Sequence, residues 1–117
     1  MTQPLGPLQL KWVEALESGD YLQGREYLCQ VYQGEAHWCL LGVACDLYSK
    51  AKNDTGVVAF GNHWDTRAIP YSVKRKLKMT DKAPGGLTYL NDFAGKTFME
   101  IASIMRNNTS RFFEEPV

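Results

Sequence analysis

The sequence predicts an α+β fold: a small antiparallel sheet packed against three to four helices. Three observations carry this reading. Apolar residues recur at helical spacing near both ends and in the middle of the chain, residues 24–32 alternate at strand spacing, and these segments mix without the regular βαβ order of a parallel sheet. With 117 residues, the chain is expected to form a single compact domain over 1–117, with a tail that frays from about residue 108. A chain of this size buries roughly two-thirds of its unfolded surface and needs no metal or disulfide staple.

Pro7 suits the first turn of a helix, and Leu8, Trp12, Ala15 and Leu16 then form one apolar stripe until Ser18-Gly19 ends it. Residues 24–32 place Tyr27, Cys29 and Val31 on one face and Leu28, Gln30 and Tyr32 on the other, a strand closed by the turn Gln33-Gly34-Glu35. The run from Cys39 to Tyr48 is short and apolar enough to be either helix or strand, and its length and ending favour helix. On that helix Leu40, Val43, Ala44 and Leu47 make the core stripe, whereas Cys39, Gly42 and Asp46 share another face, where Gly42 allows close approach of a backbone or ligand.

A polar loop over 50–55 leads to Val57-Val58-Ala59-Phe60 and His63-Trp64 around Gly61-Asn62, which predicts a hairpin or bulged strand. Pro70 opens a helix with Ile69, Val73 and Leu77 inward, and residues 81–86 read as a Pro/Gly-rich loop. Thr97-Phe98-Met99-Glu100 matches a capping box ahead of a stripe of Phe98, Ile101, Ala102 and Met105.

Thirteen basic and thirteen acidic residues cancel, so the global field of a non-specific nucleic-acid binder is missing and any anion site must be local. The first residues carry neither a charged n-region nor an apolar h-region, and no apolar run reaches the roughly 18 residues of a membrane span. Export and membrane insertion are therefore not expected. Cys29, Cys39 and Cys45 make an odd count. On a helix Cys39 and Cys45 stand about 9 Å apart along the axis, too far for a disulfide, so reduced thiols in a cytosol are expected.

Several segments together resemble a family: Lys11-Trp12-Val13-Glu14-Ala15-Leu16 with Ser18-Gly19 and Tyr21, then Trp38-Cys39-Leu40-Leu41-Gly42-Val43-Ala44-Cys45-Asp46-Leu47-Tyr48. The match continues through Ile69-Pro70 and Val73 to Leu90-Asn91-Asp92 and Gly95-Lys96-Thr97-Phe98-Met99-Glu100-Ile101-Ala102. The chain is similar to small uncharacterised proteins of tailed phages and prophages, whose central segment reads as a Cys-Leu-Gly-Val block ending in Cys-Asp. That block often carries adjacent cysteines where this chain has Trp38-Cys39. The resemblance implies a phage accessory gene, commonly an inhibitor of host defence, and brings no catalytic residues with it.

The enzymatic reading takes Cys39 as a nucleophile at a helix start, His63 as its base and Asp65 or Asn62 as orienter, which would make a cysteine-dependent hydrolase or transferase. The plainer reading makes Cys39 and Cys45 small core residues. His37, Cys39, Cys45 and Asp46 lack the CxxC or HExxH spacing of a metal site, so no metal and no cofactor are expected. Lys74-Arg75-Lys76-Leu77-Lys78 is either a phosphate grip or a solvated helix face. Trp38, Trp64, Tyr71 and Tyr89 fall in loops or near element ends, where they could stack on a base or a partner. Asn91-Asp92 is read as an Asx turn.

The binding surface expected from the sequence is Trp64, Arg67, Lys74 and Arg75, where an aromatic plate and several cations converge. The predicted protein is a non-enzymatic phage binding protein acting in the cytoplasm of an infected bacterial host. Its partner would be a host defence protein, whose surface it occludes, or a nucleotide second messenger, which it sequesters, with a homo-oligomer possible.

Overall fold

In the computed structural model, which describes residues 3–48, 69 and 71–117, the chain enters helix α1 (Pro7–Glu17) with Pro7 in its first turn. Trp12, Val13 and Leu16 are buried, and the buried face also takes in Gln9, a polar residue outside the apolar stripe. Gln9 Oε1 accepts from the Gly6 N–H, and its Nε2 donates to the carbonyls of Leu77 (2.9 Å) and Glu115 (2.8 Å). One side chain thus ties three distant segments, and its burial is tolerated because its polar atoms are paired.

Strands β1 (Leu22–Gln23), β2 (Cys29–Tyr32) and β3 (Glu35–Trp38) form a sheet in the order β1-β3-β2. β2 and β3 are an antiparallel hairpin with Tyr32 opposite Glu35. Gln33 and Gly34 both take positive φ (52° and 81°), the geometry of a two-residue hairpin turn. β1 pairs with β3 in parallel, because two chain reversals separate them. The fold class is α+β, with a sheet that is mixed rather than wholly antiparallel. The strand expected over 24–32 shortens to its last four residues. Upstream, Glu26 turns to φ 73° and donates its N–H to Asp92 Oδ1 (3.0 Å), which pulls the chain out of the ladder.

Helix α2 (Leu40–Tyr48) is the centre of the molecule, packing on α1, on β3 and on two helices that follow, α3 (Tyr71–Lys76) and α4 (Ala83–Asp92). Every residue from Leu40 to Cys45 is buried, so the helix is covered all round instead of presenting one core stripe, and Leu47 is only partly buried. On α3, Val73 is buried, as is Leu77 just beyond its end, with Ile69 partly so.

Of the loop expected over 81–86, Asp81 and Lys82 form a turn, but residues 83–86 are the start of α4. Pro84 sits in the first turn, where its missing N–H costs nothing, and Leu87 and Asn91 one and two turns on are buried against the core. Helix α5 (Phe98–Asn107) starts with the expected capping box: Thr97 Oγ1 accepts from Glu100 N–H, and Glu100 Oε1 accepts from Thr97 N–H. Phe98, Ile101, Ala102 and Met105 are buried, as the spacing predicts.

The tail from about residue 108 is packed against the core in this structure. Helix α6 (Thr109–Phe112) and the residues after it bury Phe112 and Phe113. Met79 and Phe113 form a β-bridge, and the Val117 carbonyl accepts from Leu8 and Gln9 N–H at the start of α1. Tertiary burial of two phenylalanines overrides the polar composition of 107–111. The hairpin expected over 57–64 lies outside the described residues.

Candidate functional site

Cys39 sits one residue ahead of α2, and its sulfur accepts a hydrogen bond from Gly42 N–H at 3.4 Å, the position of a helix N-cap. Its thiol is buried. Burial pushes it up to about 11, although N–H groups of Gly42 and Leu41 act in the opposite direction. Such a thiol is almost fully protonated at neutral pH, the reverse of what a thiolate nucleophile requires. Burial likewise raises Cys29 and Cys45 to about 12, and all three cysteines are free. Among the described residues, no group of three His, Cys, Asp or Glu side chains could hold a metal ion. His63, Asp65 and Asn62 lie outside the described residues.

The carboxylate and aromatics around the central helix have structural partners. Tyr21 donates its hydroxyl to Asp46 and packs edge-on against Trp38, and burial together with that hydrogen bond raises the phenol. Trp12 Nε1 donates to the Leu40 carbonyl (3.0 Å), and Tyr48 donates to the Leu8 carbonyl (2.8 Å). Asn91-Asp92 is no loop turn: Asn91 is buried at the end of α4, where Nδ2 donates to the Gly24 carbonyl (2.9 Å) and Oδ1 accepts from Gln23 Nε2 (2.9 Å). Gln23 in turn accepts from Phe98 N–H and donates to the Lys96 carbonyl, so this polar knot joins β1, α4 and α5.

Among the described residues, a cavity of about 420 Å³, lined by Leu5, Leu10, Arg106 and Thr109, has no aromatic in its lining, whereas aromatic and cationic side chains meet at cavities on the face formed by α3 and α4. The basic stretch divides there by direction: Leu77 enters the core, Lys76 lies 5.5 Å above the Tyr48 ring, and Lys74, Arg75 and Lys78 turn to two adjoining cavities. The larger, about 610 Å³, runs from Leu41 and Ile69 over Pro84, Gly85 and Thr88 to Tyr89 and Phe93. Tyr89 on α4 and Phe93, the residue that caps it, are exposed and stacked with centroids 6.1 Å apart. The smaller, about 250 Å³, is lined by Tyr71, the cations Lys74, Arg75 and Lys78, and the carboxylates Asp81 and Glu114. Lys74 and Asp81 line both cavities and pair at 3.1 Å. Arg75 lies 5.6 Å from the centre of the Tyr71 ring, within cation–π range.

The structure thus brings together Lys74 and Arg75 from the sequence-expected surface, with Tyr71 and Tyr89 from the aromatic set, whereas Trp64 and Arg67 lie outside the described residues. Sequence reading missed Asp81 and Phe93. Neither carries a motif, and both are recruited by the helical geometry of a segment expected to be a loop. Trp38 is buried instead of offering a stacking surface.

Against known families, the model described as Domain of unknown function (DUF8296) matches residues 7–67, just over half of the chain. The chain belongs to this family. No curated protein and no solved structure matches it. The DUF8296 match spans α1, the three strands and α2, so the α3–α4 face that carries the cavities lies beyond it.

Proposed function

We propose that this chain is a non-enzymatic accessory protein of phage origin that inhibits a bacterial defence system by holding a nucleotide signal on the α3–α4 face. The observation that carries the reading is the junction of an apolar, aromatic-flanked cavity of about 610 Å³ with a cationic one across the shared Lys74. Small-molecule sites fall within roughly 300–1,000 Å³ and pair an apolar lining with a few placed polar groups. A nucleotide has that split character: a flat base that stacks on aromatics and a phosphate that seeks Lys and Arg. Balanced overall charge supports a local anion site over general nucleic-acid binding.

A phage accessory protein of this kind would act in the cytoplasm of an infected host. Among the described residues no helix is long and apolar enough to cross a membrane. The buried, protonated Cys39 weighs against the hydrolase alternative. Occlusion of an effector protein by the same exposed aromatics is the competing outcome of the test.

The purified protein is incubated with extracts of defence-activated bacteria, washed, heated to release ligand, and the supernatant analysed by mass spectrometry. Recovery of an intact nucleotide is expected. A chemically altered nucleotide would make the chain an enzyme, and an empty supernatant from protein that still protects cells would turn the function to protein occlusion.

A further inference from the structure

The cation shared by the two cavities is held in an unusual way. Lys74 has a side chain only 23% exposed, yet its partner Asp81 is 97% exposed. An ion pair whose carboxylate stands in water is weakly held, because solvent competes for both charges and the exposed partner loses nothing on release. Around the smaller cavity three cations, Lys74, Arg75 and Lys78, face two carboxylates, Asp81 and Glu114. Glu115 stands 3.7 Å from Lys78, so these charges balance, and moving Asp81 away leaves a positive excess of one. A phosphate monoester carries more charge than a carboxylate and three acceptor oxygens, and Arg75 can meet it through two parallel hydrogen bonds.

We infer that a single ligand spans both cavities, an aromatic base on the Tyr89 side joined to a phosphate on the Lys74–Arg75 side, with the phosphate replacing the Asp81 carboxylate on Lys74. This rests on the nucleotide-holding reading above and adds how the phosphate is admitted. Asp81 acts as an internal stand-in for the anion: it keeps Lys74 paired when the site is empty, and an incoming phosphate must displace it. An uncharged nucleoside fills the aromatic cavity but leaves the Lys74–Asp81 pair closed. A bare phosphate opens the pair but has nothing to place beside Tyr89. Only a molecule with both parts uses the whole site.

Isothermal titration calorimetry of the intact protein, with the four nucleoside 5′-monophosphates, the matching nucleosides and inorganic phosphate as probes, tests this. Asp81→Asn keeps the side-chain shape and removes the charge. It is expected to tighten at least one monophosphate, and inorganic phosphate, about five- to tenfold, and to leave nucleoside binding unchanged. Tyr89→Ala is expected to weaken monophosphates and nucleosides about tenfold and leave inorganic phosphate unchanged. Both positions are exposed, so melting temperatures report that the variants fold.

The inference is overturned if Asp81→Asn leaves monophosphate affinity unchanged or lowers it, or if no monophosphate binds more tightly than inorganic phosphate. In that case the capture of a nucleotide from activated cells still stands, because it concerns the unmodified protein. If the wild-type protein binds no nucleotide in either experiment, the functional reading falls and the two-part site with it.

Discussion

Gly42 lies directly on the main chain of Leu28: a Cβ built at Gly42 would come within 1.7 Å of the Leu28 carbonyl oxygen. The same carbonyl accepts the Cys39 N–H at 3.2 Å, so the start of α2 is seated on the residue that leads into β2. A methyl group cannot enter without driving the sheet off the central helix. Backbone, unlike a flexible side-chain end, has nowhere to move. Gly42→Ala is therefore expected to destabilise the fold by roughly 3 kcal/mol or more, even though alanine favours helix by about 1 kcal/mol. Urea unfolding checks this; a variant as stable as wild type would mean that the α2–β2 seat is wrong.

The three buried thiols predict a pH dependence. Folding raises Cys39 from its ordinary value near 9 to about 11, and Cys29 and Cys45 to about 12. The contribution of a raised group is complete below its unfolded value and is lost as pH climbs through the folded one. Stability should thus hold level up to about pH 8.5 and then fall towards pH 11, each thiol adding at most about 1.4 kcal/mol per pH unit to the slope. Replacing Cys29 and Cys45 by Ala should flatten that limb. Iodoacetamide at neutral pH should leave Cys39 unmodified until the protein is unfolded. Rapid labelling of Cys39 in the native state would reopen the nucleophile reading.

The helices with a regular stripe were legible in the sequence. α1 and α5 carry local start signals, Pro7 and the Thr97–Glu100 box, that agree with their tertiary burial. α2 was legible as a helix but not as the covered centre, since the cover comes from α3 and α4 far along the chain. β3 was hidden because Trp38 reads as part of the apolar run after it. α4 was hidden because Pro84-Gly85-Gly86 are loop-forming by propensity, and the burial of Ala83, Leu87 and Asn91 in the core holds them helical. For the site, the chemistry of Lys74, Arg75, Tyr71 and Tyr89 was legible. Their meeting with Asp81 and Phe93 was not, because it depends on the helical start of α4.

Asn91 explains why a polar residue is tolerated in the core. Its amide satisfies the Gly24 carbonyl and the Gln23 amide, and its own carbonyl accepts from Arg25. Asn91→Ala would strand Gln23 Nε2 with one partner and remove the amide donor from the half-buried Gly24 carbonyl, a loss of about 1–2 kcal/mol. Asn91→Asp should cost more, since a carboxylate has no N–H to give the Gly24 carbonyl and brings a buried charge. Denaturant midpoints for both variants check the order. If the two cost the same, the amide donor is not what matters.

Lys78 separates stability from binding. Leu77 and Lys78 close α3, with Met79 N–H returning to the Lys74 carbonyl and Lys78 N–H to the Arg75 carbonyl, the Schellman pattern, whose left-handed position normally holds glycine. Here that position is Lys78, with φ 55°. A side chain in this conformation costs about 1 kcal/mol relative to glycine, and its pair with Glu115, 3.7 Å away and solvent-exposed, recovers little of that. The same side chain lines the smaller cavity, where the proposed phosphate site would use its charge. Lys78→Gly is accordingly expected to keep or raise the melting temperature, by up to about 5 °C, while weakening phosphate-bearing ligands several-fold. Lys78→Ala removes the same charge without relieving the backbone, so it should lose the same affinity and melt below Lys78→Gly. Calorimetry for affinity and circular dichroism for melting, run on both variants, distinguish the two effects. A Lys78→Gly protein that melts lower and binds as before would make Lys78 a structural residue and remove it from the site.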